Sequence, residues 1–295
     1  MSLAAWIRCG WPLTPTTAPM TTESYDFSRC KLCGAAAAAP RYRLKTTTIQ
    51  VCAACDFHFI NQLDVMPTER PEAEVRTLDV VAWNFIEKQL KKNRRLLEQR
   101  LALVARHLPL NETECLDIGA GVGLFGHLLQ EAGATSFGIE PQLIFRQFAE
   151  EKYRLQLRAE TIEHPFWQER HAGHFAVVTL WDTLEHLNFP VETLRDAIQV
   201  MKPGGLLFLD TPSRDSFYYR ISEWSYRLSN GANPLFLNSL YSPKPFRHKQ
   251  IFTVQQLTDL IERLGLKVVE LNRSGLFDSS NKIMLVAQKP GDSAR

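Results

Sequence analysis

The feature that most constrains this chain is a glycine-rich run over Leu116–Phe125, which reads LDIGAGVGLF. Its first residues are typical of a buried strand, and its last residues begin a helical pattern. Because glycine lacks a Cβ, glycines at alternate positions let the backbone turn sharply and let a bound molecule approach it closely. The first N–H groups of the helix have no partner within the helix. The run therefore predicts a strand–turn–helix unit of an α/β sheet, with a ligand at the turn.

The spacing and charge of this turn distinguish between ligands. A dinucleotide fingerprint of the form G-x-G-x-x-G requires glycine at the position that Leu124 occupies here. The glycines alternate instead, at Gly119, Gly121 and Gly123. Asp117, two residues before the first of them, would repel a pyrophosphate and attract a cation. The turn therefore predicts a positively charged ligand.

The pattern D-x-G-x-G-x-G over residues 117–123 resembles the cofactor loop of class I S-adenosylmethionine-dependent methyltransferases. The sulfonium and ammonium groups of that cofactor suit the charge of Asp117. The resemblance implies that the loop, including Ala120, surrounds the methionine part of the cofactor. A second strand pattern ends at Glu140, about 20 residues after the loop, where an acid that binds the ribose hydroxyls is expected. The alternative is a helix-capping or solvated acid before Pro141.

Further blocks extend the resemblance from about Leu110 to Lys289. They include a buried strand that ends at Trp181 and Asp182, the run 200–205, and His248 just before a helix start. This ordered series is similar to the methyltransferases of ubiquinone biosynthesis. The resemblance implies a Rossmann-like, doubly wound α/β sheet with an antiparallel terminal strand. We expect Trp181 and Asp182 to contribute to the cofactor site.

Polar residues at the end of that strand predict a reaction zone, because ligands of open α/β sheets lie beyond the carboxyl ends of the strands. Trp181, Asp182, Glu185 and His186 should face it. His186 and His248 are the candidate bases for a hydroxyl or carbon acceptor, since an imidazole titrates near neutral pH. Each could instead be a structural histidine. The segment 182–186 also resembles the acidic segment that some quinone methyltransferases use for a divalent cation, although the sequence shows no further ligand.

Four cysteines form two C-x-x-C pairs, Cys30 with Cys33 and Cys52 with Cys55, separated by 18 residues. This spacing is typical of a structural zinc site, in which each tight turn presents two thiolates. The intervening segment should form a hairpin that brings the two turns together. Disulfides are the alternative, but the sequence shows no secretory signal. We expect His58 to lie outside the metal site.

The sequence predicts four segments. Residues 1–25 form a leader that we expect to be disordered, with a targeting segment or an upstream extension as alternatives. Residues 26–65 form a zinc ribbon, residues 66–109 a connecting helical region, and residues 110–290 the methyltransferase domain. A zinc ribbon ahead of such a domain is also similar to sugar C-methyltransferases. Within the domain, residues 213–247 combine aromatic and basic residues and should cap the substrate, as a lid, a lipid cover, a sugar-stacking surface or a membrane contact.

Three element assignments complete the fold prediction. Residues 81–107 show a helical pattern with many basic residues, which indicates one connecting helix or a helix pair. A short apolar pattern over Leu155–Arg158 predicts a further strand of the parallel sheet. The final pattern over Lys282–Gln288 predicts the antiparallel terminal strand.

Charge and hydropathy argue against other classes of protein. The formal net charge is +2, with 34 basic and 32 acidic residues. The chain therefore lacks the basic excess of proteins that bind nucleic acid. No apolar run reaches the roughly 18 residues that a bilayer crossing needs. We expect a cytoplasmic protein with no transmembrane segment, for which peripheral membrane contact stays open and the oligomeric state is not predicted.

These observations indicate an enzyme that moves a methyl group from S-adenosylmethionine to an oxygen or carbon atom of a small-molecule acceptor. The acceptor could be a sugar, a lipid or a quinone-like compound. Structural zinc is the second expected cofactor. The alternatives are a zinc-ribbon methyltransferase that acts on RNA or protein, and a catalytically silent cofactor-binding module.

Overall fold

The computed structural model describes residues 25–64, 78–241, 248–274 and 281–291. Residues 1–24 of the expected leader lie outside these ranges. So do residues 65–77, mostly in the expected connecting region, and residues 242–247 at the end of the expected cap.

The strands of the described residues belong to two sheets. In chain order they are β1 (Ala38–Arg43), β2 (Thr48–Cys52), β3 (His58–Ile60), β4 (Glu114–Ile118), β5 (Thr135–Ile139), β6 (Phe175–Trp181), β7 (Met201–Pro212), β8 (Gln250–Ile251), β9 (Lys267–Ser274) and β10 (Lys282–Gln288).

The α-helices of the described residues pack around these sheets. In chain order they are α1 (Val80–His107), α2 (Leu124–Glu131), α3 (Leu143–Tyr153), α4 (Pro165–Arg170), α5 (Pro190–Val200), α6 (Phe217–Leu228), α7 (Leu237–Leu240) and α8 (Val254–Arg263). A single 3₁₀ turn, Leu184–His186, follows β6.

The larger sheet has six strands in the order β5-β4-β6-β7-β10-β9. Strands β5, β4, β6 and β7 are parallel, whereas β10 runs antiparallel to both β7 and β9. Leu116, Val178 and Leu207 at its centre are fully buried. The expected Rossmann-like, doubly wound sheet with an antiparallel terminal strand is therefore confirmed.

The strand expected over Leu155–Arg158 is wrong. The chain leaves α3 through Arg154, whose φ is 56°, and only one parallel bridge forms beside β5, between Ile139 and Arg158. Two backbone bonds of 2.9 Å support it, from Glu140 N to Arg158 O and from Arg158 N to Gly138 O. Leu155, at the start of the segment, is buried and 3% exposed. The segment therefore meets the edge strand only at Arg158.

Within its described residues 78–109, the expected connecting region forms one helix, α1, over the pattern at 81–107, and not a helix pair. Asp79 caps its N-terminus by accepting a bond from Ala82 N. Trp83 packs on Phe148 of α3 with 4.5 Å between ring centroids, and Val104 packs into the core beside β4 and β7. Although α1 has 28 residues, none of the helices in the four described ranges has the length and apolar character needed to cross a membrane.

The smaller sheet joins the N-terminal hairpin to β8, which lies almost 200 residues later in the chain. Its order is β1-β2-β3-β8, so that the N-terminal hairpin pairs with a strand that follows the cap. Phe59 lies opposite Gln250 in the antiparallel register, and Ile60 N donates to Lys249 O at 2.8 Å. The side-chain amide of Gln256 in α8 donates to Cys55 O at 2.9 Å. The zinc-ribbon segment is therefore built into the main unit.

The cap packs on this smaller sheet. Ser216 caps α6 by accepting a bond from Tyr219 N at 3.2 Å. Tyr219 and Tyr241 are fully buried and belong to one apolar cluster with Tyr42 of β1. The described part of the cap is therefore ordered by the N-terminal hairpin as well as by the main sheet.

Candidate functional site

The glycine turn follows β4 with three left-handed glycines. The φ values of Gly119, Gly121 and Gly123 are 79°, 53° and 78°, a region that favours glycine. A Cβ added at Gly119 would overlap the Thr183 side chain and lie 2.8 Å from its Cγ2. A Cβ added at Gly121 would meet no atom within 4 Å. The turn is therefore packed against the protein at its first glycine and open at its second.

Two buried carboxyl groups flank the turn. Asp117 is 3% exposed and accepts a bond from Thr179 Oγ1 at 2.6 Å; burial raises its pKa to about 6. Glu140 accepts bonds from Gly121 N at 3.0 Å and from Gln142 N at 2.8 Å. Burial raises the pKa of Glu140 to about 7. The structure thus brings Glu140 directly onto the glycine turn, where its carboxyl group holds the backbone of the turn and of the start of α3.

Trp181 ends β6 on the side of the sheet that α1 covers. Its indole packs edge-on against Phe125, with 5.6 Å between ring centroids, and the Arg100 guanidinium lies 5.0 Å from the ring. Its Nε1 is buried without a hydrogen-bond partner among the described residues. Such a donor is costly to bury unless a bound molecule accepts from it.

Asp182 sits in a charged cluster that the sequence did not reveal. Its carboxylate pairs with Arg100 and Lys282, and its N–H donates to Asp210 Oδ1 at 2.7 Å. Burial opposes ionisation of Asp182, but the charges of Lys282 and Arg100 outweigh it and lower its pKa. Arg100 is 4% exposed although it lies on a helix rich in surface charge. The carboxylate of Asp182 is therefore held by two cations, although its side chain is 41% exposed.

The two candidate bases lie together. His186 in the 3₁₀ turn and His248 before β8 have ring centroids 4.8 Å apart, and His186 Nε2 is 3.8 Å from a Glu185 carboxyl oxygen. One potential ligand atom from each of these three residues lies within 4.8 Å of the others. For a divalent cation at residues 182–186, His248 thus supplies the further ligand that the sequence did not show. Asp182 is instead held in its ion pairs with Arg100 and Lys282. The three side chains could hold a cation as well as move a proton.

Burial sets the protonation of this cluster. Glu185 is 1% exposed and accepts a bond from Thr211 Oγ1 at 2.9 Å; burial and the charge of Asp182 raise its pKa to about 8. Burial and the neighbouring His186 lower the pKa of His248 to about 4. At neutral pH, Glu185 therefore carries a proton and His248 is a neutral imidazole that can accept one.

Gln250 fixes the position of the two histidines relative to each other. Its side-chain amide donates to Leu184 O at 2.9 Å and to Leu187 O at 2.8 Å, on either side of the His186 turn. Beside Gln250 in the chain, Lys249 N donates a hydrogen bond to Glu185 O at 2.7 Å. Gln250 is fully buried, and because a lone glutamine carries no motif, sequence reasoning missed it.

The four cysteines of the two C-x-x-C pairs form one buried cluster. Their sulfur atoms all lie within 4.8 Å of one another, with Cys30 to Cys55 at 3.6 Å and Cys33 to Cys52 at 3.7 Å. These distances match the spacing of about 3.8 Å that tetrahedral zinc with Zn–S bonds of about 2.3 Å requires. They are too long for disulfides. The donor set therefore fits structural zinc.

His58 lies outside this cluster, as expected. Its Nδ1 hydrogen-bonds to Tyr219 OH at 2.9 Å, and Tyr219 OH contacts Tyr241 OH at 3.0 Å. His58 therefore ties the ribbon to the cap. No sequence pattern predicts this contact, because His58 is far from Tyr219 and Tyr241 along the chain.

Comparisons with known proteins find methyltransferases. A family model described as "Methyltransferase domain" matches residues 85–271. Ubiquinone biosynthesis O-methyltransferase of Yersinia pestis (strain Pestoides F) is 31% identical over 153 residues, which cover 49% of this chain and 62% of the relative. The enzyme of the same name from Yersinia pseudotuberculosis serotype O:1b matches equally. The chain thus spans less than two thirds of the curated relatives it matches.

Solved structures show the same fold. A SAM-dependent methyltransferase from Thermotoga maritima, described as a possible histamine N-methyltransferase, has a TM-score of 0.50 at 21% identity, covering 70% of this chain and 95% of that one. Magnesium protoporphyrin IX methyltransferase from Synechocystis PCC 6803, solved with bound SAH, has a TM-score of 0.51 at 13% identity, covering 75% and 94%. At these identities the likeness concerns the fold alone.

Proposed function

Because this chain belongs to the methyltransferase-domain family, we propose that it transfers a methyl group from S-adenosylmethionine to an oxygen or carbon atom of a small-molecule acceptor. The observation that carries the proposal is the open space over Gly121, beside the buried carboxyls of Asp117 and Glu140. Residues 117–123 would surround the methionine part and Glu140 would accept bonds from the ribose hydroxyls. Trp181 and Asp182 would close the site from the side of β6.

The cofactor supplies an activated methyl group, and the protein supplies orientation and proton transfer. An in-line displacement gains most from a rigid arrangement of donor and acceptor, which the buried turn and the 3₁₀ segment can provide. We assign His248 as the group that accepts the proton of an acceptor hydroxyl or acidic carbon, since its imidazole lies beside His186 in the turn that follows β6. His186, at 4.8 Å, would orient it or accept the proton from it.

The ribbon of residues 26–65 would hold zinc through Cys30, Cys33, Cys52 and Cys55 in a structural role. The site is closed, with four buried thiol ligands and no open position, which suits folding rather than chemistry. In this division of the chain, residues 66–109 connect the ribbon to the catalytic domain of residues 110–290. A cytoplasmic location would suit this role, because a thiolate zinc site needs cysteines that stay reduced.

A quinone-like or lipid acceptor is supported by the relatives named for ubiquinone biosynthesis, and a sugar remains the second class. The cap of residues 213–247 would cover the acceptor. Its buried aromatic residues Tyr219 and Tyr241 share one apolar cluster with Ile251 of β8, the strand that follows His248. A screen of small-molecule extracts with labelled cofactor would identify the acceptor.

Calorimetric titration of the full chain with S-adenosylhomocysteine tests the cofactor site. We expect Glu140→Ala to weaken binding about 10- to 150-fold, the range for hydrogen bonds to a charged group. Asp117→Ala should weaken binding in the same range. Glu151→Ala, an exposed acid on α3, is the matched control and should bind like the wild type. A folded, zinc-loaded wild-type protein that binds no S-adenosylhomocysteine would instead support the silent-module alternative.

Cofactor binding should also depend on pH. Glu140 has a raised pKa of about 7, and a bound ribose and cationic cofactor favour its ionised form. Below pH 7, binding must therefore release a proton, so that affinity for S-adenosylmethionine should rise about tenfold between pH 6 and pH 8. Calorimetry in two buffers of different ionisation enthalpy counts the protons released. Glu140→Gln should lose most of this dependence, and an unchanged profile in that variant would contradict the assignment.

A further inference from the structure

Helix α6 of the cap has two faces of different character. Tyr219 and Ser222 are fully buried. Tyr219 packs with Tyr42 of the N-terminal hairpin, and Ser222 Oγ accepts a bond from Phe236 N at 3.1 Å. Tyr226 lies on the same face, where its hydroxyl accepts a bond from Arg43 N at 2.8 Å. This inward face attaches α6 to the rest of the protein. The opposite face of α6 is exposed.

The outward face of α6 is apolar. Phe217, Trp224 and Leu228 recur at helical spacing and are 56%, 67% and 68% exposed. Tyr218 and Phe236 extend this surface, with their rings 5.2 Å apart edge to face. Together these five side chains form what we call the cap stripe. A contiguous exposed surface of large aromatic and aliphatic side chains marks an interaction site.

The exposed charges around the cap stripe are mainly positive. Arg220 flanks it on α6, and the exposed Arg43 lies on the adjoining hairpin. Arg227, whose side chain is 57% exposed, donates to Tyr42 OH at 3.0 Å and lies 3.7 Å from the Glu223 carboxylate, which partly offsets its charge. Glu223, the acid within α6, turns inward, where its carboxylate accepts a bond from Tyr42 OH at 2.7 Å. The carboxylate of Asp215, before the helix, accepts a bond from Val254 N at 2.8 Å. The outward face therefore presents cations around an apolar centre.

We propose that the cap stripe docks this protein onto an anionic lipid surface. An amphipathic helix with aromatic residues on one face and flanking arginines lies in the interface plane of a bilayer, where the rings enter the headgroup boundary and the cations meet lipid phosphates. Arginine stems can also cover apolar surface while their guanidinium groups stay in water. A second copy of the chain fits less well, because symmetric docking would bring the arginines of both copies together.

Co-sedimentation of the full chain with vesicles tests this proposal. We expect binding to vesicles of phosphatidylglycerol and phosphatidylcholine in equal parts, and binding to phosphatidylcholine alone that is about tenfold weaker. Added salt should weaken the first and leave the second unchanged. Trp224→Ser and Leu228→Ser should each reduce binding about tenfold or more, since each removes a large side chain that inserts into the lipid.

Phe85→Ser is the matched control, because Phe85 is 63% exposed on α1, outside the cap. It should bind vesicles like the wild type, and all variants should retain S-adenosylhomocysteine binding, which shows that they are folded. Arg220→Glu should lower binding to the anionic vesicles alone. Absence of binding to either vesicle would overturn the proposal, and so would equal binding by the wild type and the Trp224→Ser variant. A dimer in sedimentation velocity that Trp224→Ser dissolves would assign the stripe to a contact between copies.

Discussion

A Cys52→Ser variant should lose its zinc and, with it, the folded ribbon. Structural zinc sites contribute about 10–16 kcal/mol of apparent free energy to folding, more than a small ribbon gains from its own core. The loss should spread to β8, because Phe59 pairs with Gln250. Hydrogen exchange should therefore lose protection at Phe59 and Gln250 together, while metal analysis shows less than one zinc per chain.

Cys115→Ala is the control for this experiment, since Cys115 is a buried free cysteine in β4 outside the cluster. It should keep its zinc and its protection at β8. Both variants should bind S-adenosylhomocysteine, because Gly121 and Glu140 follow strands β4 and β5 of the larger sheet. Full zinc content in Cys52→Ser, or full protection of Gln250 after zinc loss, would contradict the structural role of the cluster.

A Gly121→Asn variant should fold normally and fail to bind the cofactor. Asparagine tolerates the left-handed conformation that Gly121 adopts at φ 53°, at a cost of about 1 kcal/mol. No atom of the protein lies within 4 Å of its Cβ, so the new side chain enters the space that we assign to the cofactor. We expect affinity for S-adenosylhomocysteine to fall about 100-fold, equivalent to about 3 kcal/mol. Calorimetry and a thermal unfolding curve on the same sample measure the two effects.

Gly173→Asn provides the matched comparison. Gly173 has a φ of 63° and also has no atom within 4 Å of an added Cβ, but it precedes β6, at the end of the parallel strands opposite to the glycine turn. The stability of the Gly173→Asn variant should fall by an amount similar to that of Gly121→Asn. Its affinity for S-adenosylhomocysteine should stay unchanged. Equal cofactor affinity in the two variants would move the cofactor away from the glycine turn.

Local motifs were predictable because the chemistry they carry is held in a few consecutive residues. The turn at Gly119 needs only its strand, its glycines and its helix, all of which are contiguous in the sequence. The C-x-x-C pairs are equally local, so that the four sulfur atoms meet as expected. The strand expected at Leu155 was wrong, because a local apolar pattern does not show whether a segment pairs with the edge of the sheet.

Contacts between distant segments were not predictable from pattern alone. Arg100 looks like one more surface cation of α1, and only the fold shows that it meets Asp182 and Asp210. Gln250 is polar and carries no motif, yet it is fully buried between the ribbon and the histidine turn. His248 could be named as a candidate base, but its closeness to Glu185 depends on how β8 returns to the sheet. Such contacts arise from tertiary packing, which single-sequence patterns do not encode.

The pairing of β3 with β8 also bears on how the chain assembles during synthesis. His58 emerges from the ribosome early, but its partner Ile251 follows only after most of the larger sheet has been made. The hairpin must therefore wait with an unpaired strand edge, which invites pairing with other chains. Early capture of zinc would hold this edge in its final shape until β8 arrives. Chains synthesised under zinc limitation should consequently be lost to aggregation before they ever become enzymes.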